Sequence, residues 1–251
     1  MEKIVVNPFL PLNRVKKLLI GKAAQGFQNE LLYLGFELFF GNSENFLKEP
    51  LSGHIDVLAN HYGNNSYYID KSNVGVFNEL NKYGINSTVI GENVKNKYPN
   101  DAKLNFVRID DFLLCNSKTV SKEVVERAAL DGIKIIDIKQ GYTKCSTLII
   151  KQNAVITDDT AIGSALKLNN FDVLTVEKGS VGLPGYNYGF IGGCGGLISK
   201  NEMIFFGNIK MHKSYNEIKS FLNNYKINMT SLSGSNLLDV GSIIPLTECE
   251  D

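Results

Sequence analysis

A chain of 251 residues, 43% hydrophobic and 21% charged, has enough apolar side chains to build a core and too many to remain disordered. Its 26 basic and 26 acidic residues cancel, so no long-range field draws it to an anionic polymer, and no nucleic-acid partner is expected. It has no 18-residue apolar run and no export-type start, since Met1-Glu2-Lys3 leads straight into Ile4-Val5-Val6; membrane insertion and secretion are therefore not expected either. Cys115, Cys145, Cys194 and Cys249 are far apart and lack Cys-x-x-Cys spacing. They read as free thiols of a cytoplasmic protein.

In chain order, β-branched and aromatic runs at 15–20 and 36–40 flank a helix over 24–34. Strands at 54–59, 67–69 and 86–90 enclose a helix over 72–82. Residues 112–116 and 133–138 read as strands around a helix starting near Ser121, whose apolar side is Val124, Val125, Ala128 and Ala129. The clearest unit follows. Residues 144–150 form a strand, 154–157 a second after a turn at Lys151-Gln152-Asn153, a helix capped by Asp158 or Asp159 runs to Leu168, and 171–176 is the third strand. The same order returns with strands at 196–198 and 203–206, a helix over 214–223 and a strand over 227–232. Ser214 and Glu217 there have capping-box spacing.

Five helical segments about 45 residues apart, each among strands too few to bury their own apolar face, imply units packed around an axis or along a row. The first unit lacks a strand and 242–246 supplies an unused one, an imbalance that a ring would resolve. A doubly wound parallel sheet and two domains divided near residues 95–102 are the alternatives. Short strand pairs joined by brief turns favour antiparallel content over the first of these.

Several residues stand out as chemistry. His54 and Asp56 are two apart, so on a strand they would share a face, either as a polar pair in a cleft or as a hydrogen-bonded turn. His61 has loop neighbours, and His212 precedes a helix. No histidine has metal-ligand spacing, and no phosphate-binding glycine motif is present, so neither a metal nor a cofactor is expected. Lys144 sets a cation beside the Cys145 thiol, although neighbours on a strand face opposite ways. Cys194 sits among Gly192, Gly193, Gly195 and Gly196, where a backbone can approach closely. Asp239 is suited to an amine or guanidinium, or to backbone donors in a turn.

The stretches Gly53-His54-Ile55-Asp56, Gln140-Gly141-Tyr142-Thr143-Lys144-Cys145-Ser146, Leu183-Pro184-Gly185-Tyr186-Asn187-Tyr188-Gly189-Phe190-Ile191-Gly192-Gly193 and Asp239-Val240-Gly241-Ser242-Ile243-Ile244-Pro245-Leu246-Thr247 resemble an uncharacterised clostridial-type group of the guanidine-modifying-enzyme, or pentein, fold. The resemblance spans nearly the whole chain. It implies a single pentein-like domain over residues 1–251: a five-fold pseudosymmetric α/β propeller of β-β-α-β units with mixed sheets, the last strand near 242–247 completing the first unit. It also implies chemistry at a guanidinium carbon by a cysteine near the C-terminus, but Pro245 stands where that thiol would be.

The leading reading is therefore a small-molecule binding or regulatory protein. Its polar central cleft, with His54, Asp56, Tyr142, Lys144 and Asp239, would take a cationic amino-acid-like or guanidinium ligand. The first alternative is a hydrolase of amidine or amide bonds using Cys145 or Cys194 with His54 and Asp56. The second is a non-catalytic interaction or structural protein, and a homo-oligomer is compatible with any of the three.

Overall fold

The computed structural model describes residues 1–42 and 47–250. Four three-stranded sheets repeat one plan, in which a hairpin supplies an antiparallel pair and a helix then returns the chain to a parallel third strand. Thr147–Lys151 pairs antiparallel with Ala154–Thr157, and after the helix Thr160–Lys167 the strand Asp172–Thr175 runs parallel to Ala154–Thr157. The same plan joins Gly195–Ser199, Glu202–Phe205 and Asn228–Ser231 through the helix Tyr215–Asn224. It recurs with Ala59–Gly63, Ser66–Ile69 and Asn86–Val89 around Val74–Leu80, and with Val107–Ile109, Phe112–Cys115 and Lys134–Asp137 around Lys122–Leu130.

The remaining helix, Gln28–Tyr33, lies between the parallel strands Val15–Ile20 and Glu37–Phe40. The C-terminal strand Ile243–Cys249 is inserted antiparallel between Val15–Ile20 and Glu2–Ile4. Thus the first sheet has four strands and joins both ends of the chain.

The five-fold α/β propeller expected from the sequence is corrected by this topology. The described strands divide into six separate sheets, the sixth being the parallel pair Val181–Gly182 and Leu237–Leu238, and no sheet closes on itself. Closure would need edge strands of successive sheets to share a hydrogen-bond ladder. Here the sheets cover one another through side chains instead: Leu19, Tyr67, Leu114, Ile156 and Phe205, from five different sheets, belong to one buried cluster. The result is a mixed α/β fold with five α-helices among the described residues. None of them is long and apolar enough to cross a membrane.

Several local expectations also change. Residues 51–57 form two short 3-10 turns, Leu51–Gly53 and Ile55–Val57, so His54 and Asp56 do not sit on a strand. Lys144 and Cys145 lie in the turn before Thr147, which removes the alternation that would have separated them. His61 is inside the strand Ala59–Gly63, fully buried and stacked on Tyr67 with ring centroids 4.3 Å apart, not in a solvated loop. Asp159 caps its helix by accepting from the N–H groups of Ala161 and Ile162. Ser214 makes no such cap; its hydroxyl accepts from Glu177 N–H instead.

Leu246 is fully buried in the C-terminal strand. Leu246→Ala should lower the free energy of urea unfolding by about 2–5 kcal/mol through lost burial and an unfilled cavity. A loss within about 0.5 kcal/mol, the range of a surface change, would contradict the placement of this strand at the core.

Candidate functional site

Chain segments that precede the first strands of several sheets meet at one buried point. Asn105, just before Val107–Ile109, ties three of them together. Its side-chain carbonyl accepts from the N–H groups of Lys144 at 2.7 Å and Cys145 at 3.2 Å. Its amide donates to the backbone carbonyl of Asp56 at 3.1 Å and to Cys145 Sγ at 3.0 Å. Cys145 Sγ in turn donates to Asp56 Oδ2 at 3.0 Å. The other carboxylate oxygen of Asp56 is buried without a hydrogen-bond partner.

Above this point opens a cavity of about 260 Å³, whose lining includes His54, Cys145 and Asp239. Asp239 is anchored by the N–H groups of Phe190, 2.9 Å from Oδ2, and Gly241, 3.1 Å from Oδ1. His54 Nδ1 stands 3.7 Å from Asp239 Oδ1, and neither ring nitrogen has a hydrogen-bond partner although the side chain is 1% exposed. The approach is tight. A Cβ at Gly193 would collide with the Asp239 carboxylate, and one at Gly241, where φ is +78°, would lie 2.6 Å from the His54 Cα. Tyr142, Tyr186, Tyr188 and Phe190 give the cavity aromatic walls. Tyr142 is fixed by donating its hydroxyl to Asp101 at 2.8 Å, with its ring centroid 6.0 Å from that of Phe190.

The remaining candidates lie outside the lining of this cavity. Lys144 is beneath it, fully enclosed, donating from Nζ to the Gly192 carbonyl at 3.1 Å and to Ser242 Oγ at 2.9 Å, with the Phe9 ring 4.6 Å away. Cys194 donates its thiol to the Ile191 carbonyl at 3.1 Å. Asp158 accepts from Ile191 N–H at 2.9 Å, its other oxygen buried without a partner. Pro245 is in the C-terminal strand opposite Leu18. His212 is buried elsewhere, its Nδ1 accepting from Ser214 N–H at 3.0 Å.

Burial dominates the electrostatics. It pushes the Cys145 thiol well above its ordinary range, and the charges of Asp56 and Asp239 add to that shift. It likewise raises the Cys194 thiol and the Asp239 carboxyl, and lifts Asp158 to about 7. The Lys144 ammonium is pulled down by burial against the opposing pull of Asp56, Cys145 and Asp239. His61, sealed beside Tyr67, is held down at about 4. At this centre, then, the carboxyls of Asp56 and Asp239 and the thiols of Cys145 and Cys194 act on a single hydrogen-bonded ammonium, an arrangement that favours an added positive charge. Among the described residues no cluster of three or more His, Cys, Asp or Glu is arranged to hold a metal ion.

The structure brings His54, Tyr142, Cys145 and Asp239 to one cavity and Asp56 directly behind Cys145, while Lys144 and Cys194 lie outside the lining. Sequence reasoning passed over Asn105, whose neighbours Leu104 and Phe106 mark it only as a polar residue between buried ones. It also gave no role to Phe190, whose N–H holds Asp239.

The architecture matches solved structures across nearly its full length. The inosamine-phosphate amidinotransferase of Streptomyces griseus aligns with a TM-score of 0.58 at 10% identity, covering 99% of this chain and 98% of that one. An amidinotransferase of saxitoxin biosynthesis from Microseira wollei gives 0.56 at 11%, covering 94% and 97%, and the C. jejuni agmatine deiminase gives 0.56 at 11%, covering 94% of each. At such identities the likeness describes fold alone, and that fold is the pentein, or guanidine-modifying-enzyme-like, one. Residues 19–244 match the model of the family of unknown function DUF6873, to which the chain belongs. No curated protein matches it.

Because the folded Asp158 carboxyl titrates near 7 and its ordinary value is 3.8, the native state retains a proton that the unfolded chain releases. Its contribution to stability is greatest below about pH 4, declines as the pH rises towards 7 and then levels, with a slope approaching about 1.4 kcal/mol per pH unit. In Asp158→Asn that slope should disappear, so urea unfolding at pH 5 and pH 8 should show the variant gaining on the wild type at the higher pH. Parallel curves would contradict the assignment.

Proposed function

We propose that the protein is a hydrolase of amidine or amide bonds, acting on a planar cationic amidine or guanidine, with Cys145 as nucleophile, His54 as proton carrier and Asp56 as the acceptor of the thiol proton. The observation that carries this reading is the Cys145 to Asp56 hydrogen bond at 3.0 Å on the floor of a cavity that also presents His54 and Asp239. Cys194 is set aside because its thiol points to the Ile191 carbonyl and its residue does not line the cavity. The pentein-like fold, shared with amidinotransferases and deiminases, supports the same class of substrate.

A guanidinium set against Asp239 would supply the missing positive charge and stack between aromatic walls. That charge, brought beside Cys145, lowers the pKa of a thiol that burial had raised. The thiol proton passes along the existing hydrogen bond to Asp56, and Sγ attacks the central carbon. The carbon–nitrogen bond then breaks as protonated His54 gives its proton to the departing ammonia or amine. In the second half, water loses a proton to His54 and its oxygen bonds to the same carbon. The carbon–sulfur bond breaks with its electron pair returning to sulfur, Asp56 returns the proton to the thiolate, and the remaining hydroxyl proton leaves with ammonia as ammonium. The sum is an amidinium plus water giving the carbonyl compound plus ammonium.

A binding protein without chemistry would use the same cavity, and what supports it is that burial, with the charges of Asp56 and Asp239, pushes the Cys145 thiol well above its ordinary range. Covalent labelling separates the two. Chloroacetamidine should alkylate Cys145, identified by peptide mass, roughly tenfold or more faster than uncharged chloroacetamide, a difference of about 1.4 kcal/mol in barrier. The modification should vanish in Cys145→Ala. Equal rates for the two reagents, or adducts confined to Cys249, would remove the enzyme reading.

A further inference from the structure

A second cavity, of about 600 Å³, has no lining residue in common with the first. It lies where the hairpin turn Asn64-Asn65 and the start of the strand Asn86–Val89 face the strand Val107–Ile109 and the end of the helix Lys122–Leu130. Arg108 and Arg127 both line it, in a chain that has only three arginines. From these observations we propose that it is a binding site for a small oxyanion, a carboxylate or phosphate group, held chiefly by the guanidinium of Arg108.

Arg108 has no ion pair and no hydrogen bond among the described residues, and its Nε is buried with no partner. Its guanidinium carbon lies over the Tyr62 ring, 5.9 Å from the centroid, and its charge reaches the Asp131 carboxylate without a hydrogen bond between them. A guanidinium is a rigid fork of five donors, and a donor sealed from water without an acceptor is destabilising. Such a group is completed by an oxyanion that accepts two parallel N–H bonds.

The neighbouring charges leave room for one. Asp131 is already engaged: Arg127 Nε donates to both its oxygens, at 2.9 and 2.8 Å, and the Tyr62 hydroxyl donates to Oδ2 at 2.9 Å. That pairing uses Nε and leaves the terminal nitrogens of Arg127 without hydrogen bonds among the described residues. The two arginines and one aspartate therefore leave one positive charge facing the cavity, with the Asn64 and Asn86 amides as additional donors. Asn65 is committed elsewhere, its amide donating to the Gly84 carbonyl at 2.9 Å.

The test is thermal unfolding of the full chain with inorganic phosphate or with acetate, each against sodium chloride of the same ionic strength so that general screening cancels. Binding to the native state alone raises the midpoint, and the expected rise is about 2–4 °C. It should disappear in Arg108→Gln, shrink in Arg108→Lys, which keeps the charge and loses the fork, and persist in Arg14→Gln, the one arginine outside the cavity. A rise with phosphate alone assigns a phosphate-bearing ligand, one with acetate alone a carboxylate, and one with both the wider oxyanion class. If neither anion raises the midpoint of the wild type, or Arg108→Gln and Arg108→Lys respond as the wild type does, the site is overturned.

Discussion

The hydrogen bond from the Cys145 thiol to the Asp56 carboxylate is the contact on which the arrangement of this protein's centre depends. It joins two segments 89 residues apart in sequence, and Asn105 spans both by bonding to the backbone of each and to the sulfur. Removing carboxylates from water is costly unless they are paired or hydrogen-bonded. Asp239 and Asp158 are accordingly held by backbone N–H groups, and Lys144 is threaded beneath them to the Gly192 carbonyl and Ser242. The compensation is incomplete, as the unpartnered oxygens of Asp56 and Asp158 and both ring nitrogens of His54 record. Incomplete compensation beside an open cavity is what a binding site for a charged ligand requires.

This centre also gives the glycines their purpose. Gly193 lies against the Asp239 carboxylate and Gly241 against His54, so side chains at either position would force apart the groups that the site brings together. The C-terminal strand beyond Gly241 presents Pro245 to Leu18 and offers no thiol to the cavity. Where several sheets direct the segments before their strands to one point, however, a thiol supplied by a different sheet can line the cavity. Cys145 precedes the strand Thr147–Lys151 and does so.

Much of the secondary structure was legible in the sequence because its signals are local. Runs such as Leu148-Ile149-Ile150 and Met203-Ile204-Phe205, separated by tight turns from their partners, read as strands and form them. The helix at Lys122–Leu130 follows from the spacing of Val124 and Ala128. The propeller inferred from the repeats is not what forms, since sheet closure depends on which edges find partners, and periodicity carries no information about that. Strand alternation points to His54 and Asp56 as a pair and counts against Lys144 and Cys145 sharing a face, yet His54, Asp56 and Cys145 occupy 3-10 turns or irregular backbone, where direction is set by long-range hydrogen bonds. Asn105 had no signal of its own because every partner of its side chain is distant in sequence. His61 was misread as a loop residue because its polar neighbours Asn60, Asn64 and Asn65 hide a buried strand that stacks it on Tyr67.

The account turns on an excess of buried acidic groups that a cation completes. Calorimetric titration of a simple guanidinium compound such as methylguanidine at pH 6.5, in buffers of different ionisation enthalpy, measures that directly, because a cation entering the cavity should expel the proton retained by Asp158. The expected result is binding with a net release of protons, and no comparable binding of methylurea, which has the same shape without the charge. Binding of methylurea as tightly as methylguanidine, or guanidinium binding with no proton release, would contradict it.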